Sequence, residues 1–393
     1  MSPAAETMRV NMGPSHPSMH GTVAIGLEVE GEKVRKAEVE IGYLHRAFEK
    51  TAENRTWTQV VPYTDRLNYV SPLINNVGYA LAVEKLFGVQ VPERCQYIRV
   101  LMSELSRVTD HLTCTAAVAM ETGALTVFIY LIEAREIIWN LLEEATGARL
   151  TTSYARVGGV SGDLTRKFMD GLPNAIKETR RAVGEADVLL RKNRIFYDRT
   201  RDVGVLGRET AISYGVTGPV GRSSGVDYDV RRDLPYLVYG KMNFKVPLGE
   251  RGDSYDRFFV RMAEIEQSLR IVQQCMRDMP AGPVNADDAR VSLPSKPAVY
   301  RDMESLIHHF KLLMPGHGIR PPAGEAYAAV EGANGELGFY VVSDGTGNPW
   351  RVRVRPPCFF PMAALHRMIE GGMVADIVPT FGSINMIAGE LDR

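Results

Sequence analysis

The sequence predicts an α+β fold with a β-rich N-terminal domain, a central antiparallel helical bundle, and a C-terminal β hairpin followed by an extended tail. Near the start, residues 22–30 and 33–41 are two β-type runs joined at Gly31 and Glu32, as in a hairpin. Through the middle of the chain, apolar residues recur at spacings of three and four, which is typical of helices packed around a shared core. Residues 350–355 alternate between apolar residues and arginines, which indicates a strand of a second hairpin.

These patterns divide the chain into three predicted regions. Residues 1–65 form a loop and β-rich domain, and its first part, residues 1–12, is a weakly structured arm. Residues 66–280 form the helical bundle, which carries a loop-rich insertion at 196–252 where glycine and arginine are frequent. Residues 281–393 form a C-terminal α+β region.

Helix start and stop signals place the elements of the bundle. Ser71 and Pro72 are typical of a helix N-terminus, and Gly88 ends that helix. A long helix begins near Pro92, and its apolar stripe is formed by Ile98, Leu101, Leu105, Val108 and Leu112. We predict the remaining helices at residues 44–54, 125–146, 258–276 and 302–314, and one or two helices at 163–193 with a break near 171–173.

Composition and charge exclude several classes of protein. The 46 Lys and Arg residues against 47 Asp and Glu leave a net charge of −1, so no global attraction to nucleic acid is expected. The arginine face of residues 350–355 either binds an acidic partner or is solvated. Apolar runs such as residues 126–132 are too short to span a bilayer. Residues 1–10 lack a signal-peptide pattern, which predicts a cytosolic chain and leaves a membrane-bound partner open.

Cysteine spacing argues against a metal site built from the thiolates of this chain. Cys95, Cys114, Cys275 and Cys358 are scattered, and no two of them are arranged as CxxC. Iron–sulfur clusters and thiolate-bound metals normally need closely spaced cysteines. We therefore expect no metal bound by these residues.

The segment at residues 13–21 contains two histidines four positions apart, His16 and His20, between glycines and prolines. Those glycines and prolines exclude a helix and predict a tight loop at the edge of the first sheet. Because histidine titrates near neutral pH, such a loop suits proton chemistry. The alternative is that both imidazoles only satisfy backbone groups in the turn.

Further candidate groups follow along the chain. Arg46 lies in a charged cluster at a predicted helix start, and Arg66 and Tyr69 come just before Ser71. A tyrosine hydroxyl beside a histidine suits proton donation to a carbonyl or quinone oxygen, although Tyr69 as a plain core residue is the alternative. Glu121 lies where two helices meet, and it either orients a histidine or is a solvated helix end.

An ordered series of motifs runs from about residue 9 to residue 393. It reads GPSHPSMHG, IGYLHRAFEK, AENRT, YTDRLNY, RVLMSELSRVTDHL, TGALTVF, RVGGV, SSGVDYDVR, PLGERGD, GELGFYVVSDG and LDR. In this order the motifs resemble the family of the D-type subunit of NADH:quinone oxidoreductase, which is the 49-kDa quinone-site subunit of respiratory complex I. That family is related to the large subunit of nickel–iron hydrogenases, so the resemblance implies a hydrogenase-like fold.

The hydrogenase relationship implies a metal pocket that has lost its ligands. Matched by position, the two CxxC pairs that hold the hydrogenase metal fall at Asn68 and Ser71 and at Ile387 and Glu390. None of these residues is a cysteine. The resemblance implies that the vacated space is the quinone head-group cavity, with Tyr69 among the former ligand positions.

The resemblance also assigns the quinone site by position. His20 and Tyr69 match the catalytic pair that hydrogen-bonds the quinone head group. His16 and Glu121 complete the predicted quinone site, with His16 the less favoured donor and Glu121 beside His20. The chain alone is expected to bind no cofactor, because quinone is the substrate.

Electrons are expected to come from an iron–sulfur cluster in an adjacent subunit, and Arg46 and Arg66 match the arginines near that cluster. Positive charge there stabilises the reduced, more negative cluster. The implied partners are the cluster-bearing subunit of the B type, a subunit of the C type, a membrane subunit of the H type and other complex I subunits, with no nucleic acid. The implied location is the cytoplasmic face of the bacterial inner membrane, as a peripheral protein.

Three positions depart from the family pattern. Glu121 stands where an aspartate is usual, which keeps the charge and adds a methylene. The segment at Thr151 has no histidine where many members carry one beside the cluster. Asn385 and Met386 replace an Asp-Pro pair, which removes a carboxylate and a rigid turn.

Together these features predict a quinone-binding and quinone-reducing subunit in the peripheral arm of a proton-translocating NADH:quinone oxidoreductase of the respiratory chain. Two alternatives stay open. One is the equivalent subunit of a related complex fed by ferredoxin or a reduced deazaflavin, and the other is a non-redox scaffold subunit. Retention of both His20 and Tyr69 argues against the scaffold.

Overall fold

The computed structural model describes residues 7–17, 19, 21–314 and 316–393, and it confirms the predicted α+β class. The strands in these residues are β1 (Met8–Met12), β2 (Ala24–Glu30), β3 (Lys33–Glu40), β4 (Ala155–Arg156), β5 (Gly159–Val160), β6 (Gly324–Gly332), β7 (Gly335–Ser343) and β8 (Arg351–Arg355). The α-helices are α1 (Phe48–Glu53), α2 (Trp57–Thr64), α3 (Pro72–Phe87), α4 (Glu93–Glu121), α5 (Leu125–Thr146), α6 (Arg166–Leu190), α7 (Arg194–Thr200), α8 (Arg208–Ser213), α9 (Gly218–Ser223), α10 (Val230–Asp233), α11 (Ser254–Asp278), α12 (Lys296–Arg301), α13 (Met303–Leu313), α14 (Phe359–Ala363), α15 (Leu365–Ile369), α16 (Ile377–Ile384) and α17 (Ala388–Asp392).

The N-terminal sheet has three antiparallel strands in the order β1-β2-β3. Its β2–β3 hairpin is the one that the sequence predicts, and the register pairs Ala24 with Glu40. The expectation of a weakly structured arm is wrong for residues 8–12, which form β1. β1 pairs with the outer edge of β2 and buries Met12, so a long-range strand partner orders this segment.

α4 is the central helix of the bundle and packs against α3, α5, α11 and α16. All residues of its predicted apolar stripe are buried, but Arg99, Glu104 and Arg107 on the same helix are buried as well. Buried charges need partners, and these three are paired within the chain. α4 is therefore surrounded on several faces, whereas the stripe alone indicates one buried face.

α6 is a single helix, so the predicted interruption near residues 171–173 is wrong. Pro173 lies inside the helix, where it removes one backbone donor. Gly171 lies so close to α5 that a Cβ there would be 2.5 Å from Cδ2 of Leu141. Burial against α5 therefore outweighs the local helix-breaking signal.

Two buried arginines anchor the insertion to the rest of the fold. Arg222, in α9, donates to Glu264 of α11 at 2.7 Å and to Glu331 of β6 at 2.8 Å. Arg231, in α10, donates to Glu104 of α4 at 3.1 Å. Because all these side chains are shielded from water, removing one partner would leave an unpaired buried charge. The short helices of the loop-rich insertion are thus fixed by ion pairs.

The C-terminal sheet has the order β6-β7-β8, and its β7–β8 pair is the predicted second hairpin. β6 is an additional strand, paired with β7 along its whole length. Two of the three arginines of β8 face helix α1, where Arg351 donates to Glu53 at 3.0 Å and Arg353 donates to Glu49 at 2.5 Å. The third, Arg355, donates to the backbone carbonyl of Glu336 at 2.6 Å. The acidic partner of this arginine face is therefore a helix of the same chain.

The first and last parts of the chain share one apolar core. Ile25 and Leu27 of β2 belong to the same buried cluster as Phe381 of α16 and Leu391 of α17. This packing brings the N-terminal histidine loop next to the C-terminal segment. The candidate functional site lies where these two segments meet the loop before α3 and the end of α4.

Candidate functional site

The loop before α3 places Tyr69 beside the C-terminal segment. The Asn68 side-chain oxygen accepts hydrogen bonds from the backbone N–H groups of Val70 and Ser71, at 3.1 and 3.2 Å. Asparagine favours this kind of local turn, and the turn fixes the backbone on both sides of Tyr69. The Tyr69 ring packs against the apolar core that contains Ile387.

Tyr69 is half-buried, and burial raises the pKa of its hydroxyl above the usual value. The Arg46 guanidinium opposes this shift, whereas Cys358 and Asp110 add to it. The hydroxyl therefore keeps its proton at physiological pH and can donate it to a bound ligand. The same influences show that Arg46, Cys358 and Asp110 all lie within electrostatic reach of Tyr69.

Asp110, on α4, joins the two segments that match the hydrogenase ligand positions. Its Oδ2 accepts hydrogen bonds from Ser71 Oγ at 2.7 Å and from Asn68 Nδ2 at 3.1 Å. Its Oδ1 accepts a hydrogen bond from Asn385 Nδ2 at 2.6 Å. Since Asp110, Asn68 and Ser71 are buried, hydrogen-bonded side chains fill part of the region between these segments.

A buried thiol and a buried carboxyl continue this network. Cys358 Sγ lies 3.3 Å from Glu390 Oε2 and 3.5 Å from Asn334 Nδ2. Asn334 Oδ1 accepts a hydrogen bond from Asn385 Nδ2 at 2.8 Å. Burial raises the pKa of Glu390 to about 8, with the Cys358 hydrogen bond opposing the shift and the Asp110 charge adding to it. Glu390 is therefore mostly protonated at neutral pH.

The Cys358 sulfur is a thiol, because burial raises its pKa well above the usual value and the nearby Glu390 carboxyl raises it further. A thiol has one hydrogen to donate, and Glu390 Oε2 is positioned to accept it. Cys358 therefore acts as a connecting group in the network rather than as a reactive thiolate.

Glu121 ends α4, and both of its carboxylate oxygens are shielded from solvent. Oε2 lies against Gly382 of α16, where a Cβ would be only 2.1 Å from that oxygen. The carboxyl therefore points into the protein, which argues against a solvated helix end. Its predicted contact with His20 involves a residue that lies outside the described part of the chain.

The histidine loop contains the predicted tight turn, since Met19 N–H donates to the carbonyl of His16 at 3.1 Å. Gly21 has φ +130° and lies against Met386, because a Cβ at Gly21 would be 2.3 Å from the Met386 Cε. The loop is thus in contact with the C-terminal segment. His20 lies outside the described residues, so its contact with quinone stays a prediction, as does the role of the half-buried His16.

Arg46 and Arg66 line one cavity with a volume of about 640 Å³, and Arg55 lines it as well. Arg46 Nη2 donates to the backbone carbonyl of Arg66, and Arg66 Nη1 donates to the carbonyl of Pro62 at 2.6 Å. Both arginines are exposed, so their guanidinium groups give this cavity a positively charged wall.

The C-terminal Asp392 holds the loop that carries Arg46. Its carboxylate accepts hydrogen bonds from the N–H groups of Gly42 at 3.0 Å and Leu44 at 2.8 Å. Its backbone carbonyl lies 2.6 Å from His45 Nδ1. The last motif of the sequence therefore fixes the backbone just before Arg46.

The segment of Thr151 is hydrogen-bonded to the residue that precedes Arg66. Ser153 N–H donates to Asp65 Oδ2 at 3.0 Å, and Arg66 Nη1 lies 3.7 Å from that carboxylate oxygen. Burial raises the pKa of Asp65, and its hydrogen bonds from Ser153 oppose the shift. Asp65 thus connects the segment of Thr151 to Arg66, although the two are far apart in sequence.

The described residues contain no group of three or more His, Cys, Asp and Glu side chains arranged to hold a metal ion. The four cysteines are free and buried. Among the helices of the described ranges, none is long and apolar enough to cross a membrane.

None of the network's members is a predicted site residue, and three of them, Asp110, Asn334 and Cys358, are not among the matched ligand positions or the departures from the family pattern either. Asp110 has a signal in the sequence, because it places a charge next to the apolar stripe of α4 and beside His111. Asn334 and Cys358 have no local signal. They reach the site only through the packing of the turn between β6 and β7 and the segment before α14.

Comparisons with known proteins show which family the chain is related to. The sequence model of the family described as "Respiratory-chain NADH dehydrogenase, 49 Kd subunit" matches residues 121–393. The chain is 55% identical to the D-type subunit, numbered 1, of the NADH-quinone oxidoreductase of Sorangium cellulosum, over 99% of this chain and 96% of the relative. It is 52% identical to the corresponding D-type subunit of Myxococcus xanthus, over 98% and 92% of the two chains. It is 46% identical to that of Geobacter sulfurreducens, over 99% and 100%.

Proposed function

The chain belongs to the 49 kDa subunit family of respiratory-chain NADH dehydrogenase, and from this premise we propose that it binds quinone and donates a proton during quinone reduction. It is a subunit of an oxidoreductase complex. The observation that carries the proposal is the position of Tyr69. The Tyr69 hydroxyl is protonated and half-buried, and it lies within electrostatic reach of Arg46. The Tyr69 ring packs against the core that contains the C-terminal segment, which in turn contacts the histidine loop.

In the proposed reaction, the quinone head group lies against Tyr69 and His20. An iron–sulfur cluster in an adjacent subunit supplies electrons when the complex is assembled. Tyr69 holds its proton until charge develops on the quinone oxygen and then donates it, because the developing oxyanion is the stronger base. Glu121, which points inward at the end of α4, is the proposed partner that orients His20.

The cavity lined by Arg46 and Arg66 supports the second half of the proposal. We infer that the cluster-bearing B-type subunit covers this cavity, with the two guanidinium groups facing its cluster. A positive charge close to the cluster favours its reduced form, because reduction adds a negative charge. The C-type subunit, the membrane subunit of the H type and the other complex I subunits are the further proposed partners. The proposed location is the cytoplasmic face of the bacterial inner membrane, where the complex couples quinone reduction to proton translocation.

The direct test is Tyr69→Phe in the intact, membrane-bound complex. This change keeps the ring and removes the hydroxyl. We expect quinone reduction to fall by about 10²-fold or more, the usual contribution of a positioned acid. Electron transfer from NADH to an artificial acceptor that is reduced upstream of the quinone should remain unchanged.

Tyr97→Phe is the matched control, because Tyr97 is a buried tyrosine near the opposite end of α4. We expect normal quinone reduction in this variant. A normal rate and apparent affinity for short-chain quinone in Tyr69→Phe would contradict the assignment of Tyr69. Co-purification of a nucleotide-binding flavoprotein with the chain would favour NADH over ferredoxin or a deazaflavin as the electron source.

A further inference from the structure

A continuous chain of side-chain contacts links two buried carboxyl groups near Tyr69. Asn385 Nδ2 bridges Asp110 Oδ1 at 2.6 Å and Asn334 Oδ1 at 2.8 Å. Asn334 Nδ2 contacts Cys358 Sγ at 3.5 Å, and the Cys358 thiol contacts Glu390 Oε2 at 3.3 Å. This series of side-chain contacts therefore connects Asp110 to Glu390 through two amides and one thiol.

The two carboxyl groups have different surroundings. Asp110 accepts three side-chain hydrogen bonds, two on Oδ2 and one on Oδ1. Glu390 is 1% exposed, and among the charged groups around it the like-charged Asp110 has the largest influence. Two buried carboxyl groups that act on each other are most stable when they share one proton.

The groups that face Glu390 come from several elements. Cys358 precedes α14, Asn334 lies in the turn between β6 and β7, and Asp110 belongs to α4. The Arg46 guanidinium approaches the same segment, since its Nη2 lies 3.4 Å from the carbonyl of Gly389. Cys358 and Asp110 are also two of the groups that act on Tyr69, so Tyr69 and Glu390 have these two neighbours in common.

We propose that Asp110 and Glu390 form a carboxyl pair that holds one proton, carried by Glu390, and that this proton replaces the one that Tyr69 gives to quinone. The proposal rests on the proposed function of Tyr69. When the Tyr69 O–H bond breaks, its proton goes to the quinone oxygen. The tyrosinate then takes the Glu390 proton, Glu390 becomes a carboxylate, and water later reprotonates it. The electrons come from the adjacent subunit's cluster, as in the proposed function.

The protonation of Glu390 is tested first, without reference to quinone. Infrared difference spectra of the intact complex between mildly acidic and alkaline pH should show one carboxylic-acid carbonyl band that disappears near pH 8. This band should be absent in Glu390→Gln and present in Glu370→Gln. Glu370 is the matched control because it is a partly buried glutamate that accepts a hydrogen bond from Ala37 N–H. A wild-type spectrum without the band, or a band that persists in Glu390→Gln, overturns the proposal.

The link to Tyr69 is tested by the pH profile of quinone reduction. Glu390→Gln keeps the hydrogen bond with Cys358 but has no proton to give, so we expect a lower rate and loss of the alkaline limb near pH 8. Glu390→Asp should restore that limb, because it restores a carboxyl. An unchanged profile in Glu390→Gln overturns the proposal and shows that Glu390 is only structural.

The failures of the two proposals are distinguishable. If Tyr69→Phe reduces quinone normally, the proposed function fails, while the infrared band of Glu390 still reports the pair. If Glu390→Gln does not assemble, Cys358→Ala replaces it as the probe. Loss of the thiol donor should move the midpoint of the same infrared band to higher pH, and an unmoved midpoint overturns the proposal.

Discussion

The side-chain amide of Asn385 donates a 2.6 Å hydrogen bond to the carboxylate of Asp110. The motif resemblance implies a carboxylate where this sequence has Asn385. In space, the Asp110 side chain reaches that amide from α4. Asn385 also ends α16 with φ +62°, a left-handed conformation that asparagine tolerates, so the chain still turns here without proline.

Asp110→Asn should loosen this junction. The new amide presents N–H groups toward donors on Ser71, Asn68 and Asn385, and each unmatched buried polar group costs about 1–3 kcal/mol. We expect faster amide hydrogen exchange at Val70 and in α17, measured by mass spectrometry on the complex. Ser71→Ala removes only one donor and should show a smaller change. Equal exchange in wild type and Asp110→Asn would contradict the structural role of this carboxylate.

Glu390→Gln should change the pH dependence of stability. The pKa of Glu390 is raised from 4.5 to about 8, so the folded chain holds a proton that the unfolded chain releases across this range. Stability contributed by this proton therefore falls as pH rises from about 4.5 to about 8. The glutamine variant does not lose this stability. The free energy of unfolding of the variant minus that of wild type should therefore increase with pH, by an amount on the order of a few kcal/mol.

The measurement for this prediction is the thermal midpoint at which the chain dissociates from its complex, recorded for both proteins across the same pH range. The variant-minus-wild-type difference is expected to be smallest at acidic pH and to level off above pH 8. A difference that is constant with pH would show that Glu390 does not carry the proton.

Arg46→Ala should make the midpoint potential of the adjacent cluster more negative. Removal of a unit charge from the cavity wall destabilises the reduced cluster, with an expected shift on the order of tens of millivolts. Redox titration followed by electron paramagnetic resonance gives the potential. Arg180→Ala is the control, because Arg180 pairs with Glu266 on the surface of the bundle. An unshifted potential in Arg46→Ala would rule out the proposed contact with the cluster.

Gly382→Ala should displace Glu121. The added Cβ would lie 2.1 Å from Glu121 Oε2, so the carboxyl must move or α16 must shift. We expect a raised KM for quinone with little loss of assembled complex. Gly184→Ala, also within a helix, has open space around the new Cβ and is the matched control. The Gly184→Ala change should leave the free energy of unfolding unchanged or raise it by up to about 1 kcal/mol. Unchanged quinone kinetics in Gly382→Ala would show that Glu121 has no role in the site.

Local patterns predict much of the fold because their causes are local. Alternation predicts the β2–β3 and β7–β8 hairpins, and the Ser71–Pro72 and Gly88 signals predict the ends of α3. The errors at residues 8–12 and 171–173 occur where a distant partner decides. A strand edge orders β1, and packing against α5 keeps α6 continuous, although neither contact is visible in the local sequence. The expectation of an extended tail after β8 is also wrong, because that segment forms the helices α14 to α17.

By itself, the sequence determined the α+β class, the family and the candidate residues Tyr69, Arg46 and Arg66, because these depend on patterns and motifs along the chain. Only the tertiary structure decided that Asp110 and Glu390 meet in one network. The physical reason is that hydrogen bonding and protonation depend on burial and on which distant groups approach, and 280 positions separate these two residues in the sequence.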